Sequence, residues 1–289
     1  MSTPRSLQLH PCVARVTIES PFGPVAALRA TPDGTSRGTV LLLPGFTGSK
    51  EDFLAVLEPL ARAGWVAVAV DQRGQHETVG PDDDPRAYAL DGFAHEAVAT
   101  GRVLVGPDGA LHLVGHSFGG LVAQAATLHD PALVRSLTLL CSGPGALPES
   151  EHDELALFEN ALPLLGHATV WDALRERGAV SLDDVPPEIA DFVADRFLAN
   201  STGSLVGIAR ILSSAPDRGD DLAATGVAVQ VVHGENDDAW PQDQQAELAH
   251  RLGAPLHVIA QAGHSPNVDQ PEALAAVLDA FFGATTPDA

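Results

Sequence analysis

Five short, nearly uninterrupted apolar runs constrain this chain more than any other feature. They cover residues 39–43, 66–70, 111–114, 137–141 and 227–232. Runs without period-2 alternation suit strands buried on both faces, the situation of a parallel sheet between helices. The stretches between them carry helical spacing. Ser49 can cap one such helix, Asp52 falls in its first turn, and Phe53, Val56, Leu57 and Leu60 follow i, i+3, i+4, i+7. Pro59 is expected to kink its last turn. Helical patterns also occupy 92–102, 121–128 and 271–282, and a last strand is expected at 256–259. Near the start, strands at 12–18 and 25–29 flank the turn Ser20-Pro21-Phe22-Gly23-Pro24. Alternating strands and helices predict an α/β fold with a mostly parallel sheet and right-handed crossovers.

One interval breaks the rhythm. Between 142 and 226 no strong strand pattern occurs, and Leu155, Phe158, Leu162, Ile189, Phe192, Val193, Phe197, Leu205, Ile208 and Leu212 recur at helical spacing. A structureless loop of that length is improbable in a compact domain, so a helical insertion is expected. The acidic stretch 216–221 would lead the chain back to the sheet. The organisation predicted is a core in two parts, 1–143 and 222–289, with a helical cap over 144–221.

Charge narrows the classes of function. The 289 residues hold 16 Lys+Arg against 38 Asp+Glu, a net charge of −22, and the only lysine is Lys50. Nucleic acid as a main ligand is excluded because phosphate binding needs clustered cations, and an anionic membrane surface would repel the chain. There is no apolar run of about 18 residues and no apolar signal core, so a cytoplasmic location is expected. The sequon Asn200-Ser201-Thr202 is then a chance match. Cys12 and Cys141 lie far apart and are read as buried free thiols, with no disulfide. No metal is expected, since there is no H-E-x-x-H and no Cys/His cluster at ligand spacing. The stretch 45–50 lacks phosphate-loop spacing, and Asp82-Asp83-Asp84 reads as a solvated loop rather than a calcium site.

The chemistry concentrates at Gly115-His116-Ser117-Phe118-Gly119-Gly120, which follows an expected strand and opens an expected helix. That is the setting of a G-x-S-x-G nucleophile elbow. So sharp a reversal forces its central residue into a strained backbone region, while glycines two residues either side permit close approach. Ser117 Oγ would project alone beyond the strand ends. The Phe118 amide, at the helix N-terminus, would face the same space and could bind an oxyanion. His116 is read as a packing residue.

A serine hydroxyl needs a base, and the base needs an orienting acid; on such a scaffold the chain order is serine, acid, histidine. Downstream, strand 227–232 ends in His233-Gly234-Glu235-Asn236-Asp237-Asp238, and strand 256–259 leads to Gly263-His264-Ser265-Pro266. Both lie past carboxyl ends of strands, where open α/β sheets bind ligands. Glu235, Asp237 and Asp238 are all placed to serve as the acid. His233 is expected to shape that loop, and His76 and His95 to sit at the surface.

The chain resembles the α/β-hydrolase superfamily, of the capped esterase and lactonase type. The likeness spans nearly the whole chain and is most specific at 44–48, 71–74, 115–120, 234–241 and 263–271. The resemblance implies an α/β-hydrolase fold and selects Asp237 as the acid, three residues after a strand-end glycine. It selects His264 as the base, followed by Asp269-Gln270-Pro271. It puts the first oxyanion amide on Phe46. Two departures stand out: Pro44 replaces a common histidine, and His76 replaces the second glycine of a D-x-R-G-x-G loop.

The expected activity is hydrolysis of a small or medium, mostly apolar carboxylic ester or lactone through an acyl-enzyme on Ser117, with no cofactor. Serine at the elbow excludes the aspartate-dependent dehalogenases and epoxide hydrolases of the superfamily. Substrate contacts are expected from Phe46, Phe118, Trp171 and Trp240, with Phe158, Phe192 and Phe197 as further wall candidates. Arg175, Arg177, Arg196 and Arg210 are either solvated or available to a substrate carboxylate. The expected partner is a small-molecule substrate, with a homodimer allowed for. A cofactor-free haloperoxidase or perhydrolase, a carbon–carbon bond hydrolase and a non-catalytic small-molecule receptor are the alternatives the same pattern admits.

Overall fold

The computed structural model describes residues 1–82 and 84–286; Asp83, the middle of the expected acidic loop, lies outside the described residues. Eight strands form one sheet: β1 (Val13–Ser20), β2 (Gly23–Ala30), β3 (Gly38–Leu43), β4 (Trp65–Val70), β5 (Leu111–His116), β6 (Val134–Leu140), β7 (Ala228–Gly234) and β8 (Leu256–Ile259). Their order is β1-β2-β4-β3-β5-β6-β7-β8. β2 runs antiparallel to both neighbours, and β3 to β8 are parallel.

Eleven helices are named here: α1 (Leu54–Arg62), α2 (Leu90–Val105), α3 (Phe118–His129), α4 (His152–Ala156), α5 (Leu162–Glu176), α6 (Pro187–Ala199), α7 (Thr202–Ser214), α8 (Gly219–Ala224), α9 (Gln242–Leu252), α10 (Pro266–Asp269) and α11 (Pro271–Thr285). β3 to β7 are buried on both faces, and each face of the sheet carries its own core. Val40, Leu42, Ala67 and Ala69 join residues of α1 and α11 in one cluster. Leu41, Leu43, Val68 and Val70 join residues of α2, α3 and α9 in the other. This period-2 division of continuous apolar runs is the three-layer arrangement the sequence predicts.

Between β6 and β7 the chain is helical, from α4 to α8, with a π-helical turn at Leu157–Ala161 and a kink at Gly166 (φ 78°). Ser49 is the N-cap, its N–H donating to Asp52 Oδ2 at 3.2 Å, while its hydroxyl donates to Glu51 Oε2 at 2.8 Å. Several local expectations are corrected. The helix opens as a 3₁₀ turn, Lys50–Phe53, and Pro59 sits inside α1 without ending it. Cys12 is only half-buried, 3.1 Å from His10 Nδ1, whereas Cys141 is buried. No helix among the described residues is long and apolar enough to cross a membrane.

Lys50 is buried. Its ammonium lies 2.7 Å from Asp71, 3.1 Å from Glu51 and 2.8 Å from Glu77. Burial opposes its charge, but Asp71 and Glu51 hold it charged, above its ordinary range. A solvated role is likewise wrong for Arg196: fully buried, it pairs with Asp52 at 2.6 Å and donates to the Ser2 carbonyl at 2.7 Å. Arg175, Arg177 and Arg210 are exposed.

Candidate active site

The register of the parallel strands brings four loops to one end of the sheet. Leu43 lies opposite Gly115, and His116 opposite Leu140, so the loop after β3 abuts the elbow after β5. Gly234 lies opposite Ile259, which sets the loops after β7 and β8 side by side. Two backbone bonds lock that second pair: Glu235 N–H to the Ile259 carbonyl at 2.9 Å, and Asn236 N–H to the Ala262 carbonyl at 2.8 Å.

Ser117 has φ 54° and ψ −121°, a region that side-chain-bearing residues seldom occupy. The strain is held by close packing: a Cβ on Gly115 would collide with the Gly119 carbonyl. Ser117 N–H donates to the Leu140 carbonyl at 2.9 Å, anchoring the bend to β6. The helix behind it begins at Phe118, three residues earlier than the apolar pattern indicated. Among the described residues the Phe118 and Phe46 amide hydrogens have no protein acceptor.

Burial separates the three candidate carboxylates. Asp237 is buried and its Oδ1 lies 2.7 Å from His264 Nδ1, whereas Glu235 and Asp238 are exposed. Burial would raise the Asp237 pKa, but His264, the Gln245 side-chain amide and the Ala239 N–H outweigh it and hold the carboxylate below its usual range. Gln245 Nε2 donates to Asp237 Oδ2 at 2.8 Å, and Ala239 N–H to Oδ1 at 3.2 Å. Asp237 therefore sits as an oriented anion with one oxygen turned to the imidazole. The thiol of Cys141, at φ 48°, is pushed well up by burial and the nearby Asp237 charge, so it stays a thiol.

His116 does more than pack. Its Nε2 is 2.7 Å from the His264 carbonyl oxygen and so must carry the proton. Burial, with the nearby His264, pushes its pKa down to about 3, so it is a neutral clamp at neutral pH. It links the residue before Ser117 directly to His264, and the two rings are 5.1 Å apart. Ser117 Oγ itself makes no hydrogen bond to His264 among the described residues; such bonds commonly tighten only with substrate present.

Beside His264 opens a pocket of about 140 Å³, whose walls include Phe46, Thr47, His116, Phe158, Leu174 and Val180. Phe46 and Phe158 stack edge to face at 4.7 Å. Phe46 lies in the pocket wall, whereas the side chains of three other residues expected to contact substrate are turned away from it. The Phe118 ring is fully buried against Phe93 at 5.2 Å, so only its backbone reaches the site. Trp171 is buried against Phe197 at 5.1 Å, and Trp240 is buried against Gly143. Phe192 faces His76 and Arg196 instead of the pocket. His76 is largely buried beside Glu51 and Asp71, not at the surface, and adopts φ 43°, the left-handed conformation a glycine would otherwise supply. His95 is exposed, and His233 holds the Gly234 carbonyl at 2.8 Å. Gln245 and His116 were missed as site residues: neither stands at a spacing that distinguishes it from any other helix or elbow residue.

His116, Cys141 and His264 present atoms within 4.8 Å of one another, as do Glu51, Asp71 and His76. His264 Nδ1 already meets Asp237, and in the second set the Lys50 ammonium lies 3.1 Å from Glu51 and 2.7 Å from Asp71.

Comparison with known proteins identifies the family of the chain. A family model described as the alpha/beta hydrolase family matches residues 40–277. A provisionally named carbamate hydrolase, RutD, of Variovorax paradoxus is 29% identical over 80% of this chain and 86% of its own. A monoacylglycerol lipase of Mycolicibacterium smegmatis is 28% identical over 78% and 79%. Among solved structures, a thermophilic esterase from Thermogutta terrifontis superposes with a TM-score of 0.76 at 20% identity, over 95% of this chain and 100% of that one.

Proposed function

Because the chain belongs to the alpha/beta hydrolase family, we propose that it is a serine hydrolase that cleaves a small or medium, mostly apolar carboxylic ester or lactone through an acyl-enzyme on Ser117. The observation that carries this reading is the buried Asp237–His264 pair, 2.7 Å apart, clamped through His116 to the strained residue Ser117.

His264 takes the proton of Ser117 as its oxygen attacks the acyl carbon. Asp237 holds Nδ1–H and stabilises the imidazolium that forms. The amides of Phe46 and Phe118 bind the tetrahedral oxyanion. His264 then delivers its proton to the leaving oxygen, which departs with the electrons of the C–O bond. Water, deprotonated by the same imidazole, attacks the acyl-enzyme; the acid leaves as the Ser117 oxygen takes the proton back from His264. His264 carries each proton in turn, Asp237 stays an anion, and no cofactor enters a step.

The helical stretch 144–221 acts as a cap: Phe158, Leu174 and Val180 close the pocket over His264. A cavity of about 140 Å³ limits the acyl group to a compact one, since a comparable apolar cavity of about 150 Å³ holds a benzene ring. Short esters of p-nitrophenol and small lactones are the substrates to test. Ser117→Ala should lose about 10⁴-fold or more in kcat, and a fluorophosphonate should label Ser117 in the native chain only. Turnover by Ser117→Ala at the native rate would overturn the reading.

A further inference from the structure

The loop after β3 must aim a backbone amide, and the structure contains a device that sets its direction. Gln72 Nε2 donates to the Pro44 carbonyl at 2.9 Å, and Gln75 Nε2 to the Gly45 carbonyl at 2.9 Å. Both side chains are buried. Gln75 Oε1 also accepts the Gln72 N–H at 3.2 Å, so its carboxamide cannot flip without losing both bonds. The turn that carries them is closed by Gln75 N–H to the Gln72 carbonyl and Thr78 N–H to the Gln75 carbonyl, each 2.9 Å, and by Gly74 N–H to the Thr78 carbonyl at 2.9 Å. At its start Asp71 is tied to the Lys50 N–H and ammonium, each at 2.7 Å. The left-handed conformation of His76 makes the reversal that follows Gln75.

A trans peptide is planar, and its C=O and N–H point opposite ways. The chain contains no cis peptide among the described residues. Fixing the Gly45 carbonyl against Gln75 therefore fixes the Phe46 N–H in the opposite direction. That hydrogen has no protein acceptor among the described residues, and Gly45 lies against the elbow: a Cβ there would sit 3.0 Å from Ser117 Cβ. We infer that Gln75 is a positioning residue for the reaction: its side-chain amide sets the plane of the Gly45–Phe46 peptide and so aims the Phe46 amide at the oxyanion. Gln72 steadies the preceding peptide in the same way. This rests on the acyl-transfer reading above. Its physical value is preorganisation: a donor already aimed does not have to reorient as charge develops.

The test is Gln75→Met, which keeps side-chain bulk and removes the donor. With p-nitrophenyl acetate, kcat should fall about 10- to 100-fold, less than the loss of a whole oxyanion donor, while KM stays within about twofold. Affinity for a methyl trifluoromethyl ketone, which forms a tetrahedral oxyanion on serine, should weaken by the same factor as kcat. Binding of an unreactive acetamide should not change. Unchanged kcat, or equal losses for the ketone and the acetamide, would overturn the inference. If Gln75→Met does not fold, Gln72→Met is measured in the same way: a smaller kcat loss with the same split supports the role, and no split overturns it. Ser117→Ala, run in parallel, separates the two levels. Retained activity there defeats the acyl-enzyme itself, whereas an inactive Ser117→Ala beside a native-like Gln75→Met defeats only the positioning role.

Discussion

The loops at the carboxyl end of the sheet and the helices between β6 and β7 build two sides of one pocket by opposite means. The loops are held by polar contacts to backbone: Gln72 and Gln75 on the Pro44 and Gly45 carbonyls, His116 on the His264 carbonyl, Ala239 N–H on Asp237. Each such bond is directional, so a donor or acceptor moved by an ångström is lost. Among the helices apolar contact is prominent, Phe158, Trp171 and Phe197 packing on one another with rings 5.1–6.3 Å apart, alongside the buried Arg196–Asp52 ion pair. Apolar contact tolerates repacking, and this region carries the π turn, the Gly166 kink and three exposed leucines, Leu164, Leu165 and Leu198. On the proposed reading, the difference divides chemistry from selectivity: the rigid side would fix reacting atoms, and the adaptable side would set the shape of what enters.

Four experiments bear on that contrast. The largest effect is expected on the rigid side. Asp237→Asn should cut kcat about 10³- to 10⁴-fold with little change in thermal stability, because the neutral amide no longer fixes the tautomer of His264; steady-state kinetics and calorimetry together check this. A small kcat loss would mean that Glu235 or Asp238 can take over.

Lys50→Met should remove about 3–5 kcal/mol of stability by leaving Asp71 and Glu51 as uncompensated buried charges. The pH dependence follows from Glu51. Burial opposes its charge, but His76, Lys50 and Ser49 hold its pKa well below the ordinary 4.5. A depressed acid contributes stability that is complete above the unfolded pKa and is lost as pH falls through the folded one. Native stability should therefore decline below about pH 4.5, with Glu51 as one contributor. Lys50→Met should flatten that acid-side slope, as read by urea titrations at stepped pH.

A smaller, selective effect is expected where the two sides meet. Phe46→Ala keeps the backbone amide but removes the ring that packs on Phe158. The preferred p-nitrophenyl ester should lengthen by a few carbons, with kcat/KM shifting about tenfold toward the longer chains, the worth of one or two methylenes. An unchanged chain-length profile would remove Phe46 from the pocket wall. The smallest effect belongs to the adaptable side: Leu164→Ser with Leu165→Ser should move stability by no more than about 0.5 kcal/mol per site, as for most surface changes. A large loss in urea unfolding would show that these leucines are covered in solution.

Much of the fold was readable because it rests on local pattern. Uninterrupted apolar runs named the strands from β3 to β7, and helical spacing named α2, α3 and α11 to within a few residues. Ends were misjudged where a polar residue continued an element, as His116 does in β5 and His233 in β7. Arg196 and His76 were misread because burial reversed the ordinary habit of such residues, as it also does for Lys50. Lys50, Arg196 and His76 look like surface residues in a sequence, and only their carboxylate partners, 21 to 144 residues away or across a turn, make burial tolerable.

By itself the amino-acid order determined the layers, the sharp bend at Ser117 and a histidine and a choice of acids at the right strand ends, because strand period, glycine placement and chain order act over a few residues. Only the folded chain decided that Asp237 and not its neighbours meets His264, that Trp171, Trp240 and the Phe118 ring turn inward, and that Phe158, Leu174 and Val180 line the pocket. Those outcomes depend on register between strands and on which side of a helix meets the sheet, and such long-range geometry leaves no periodic mark on the sequence.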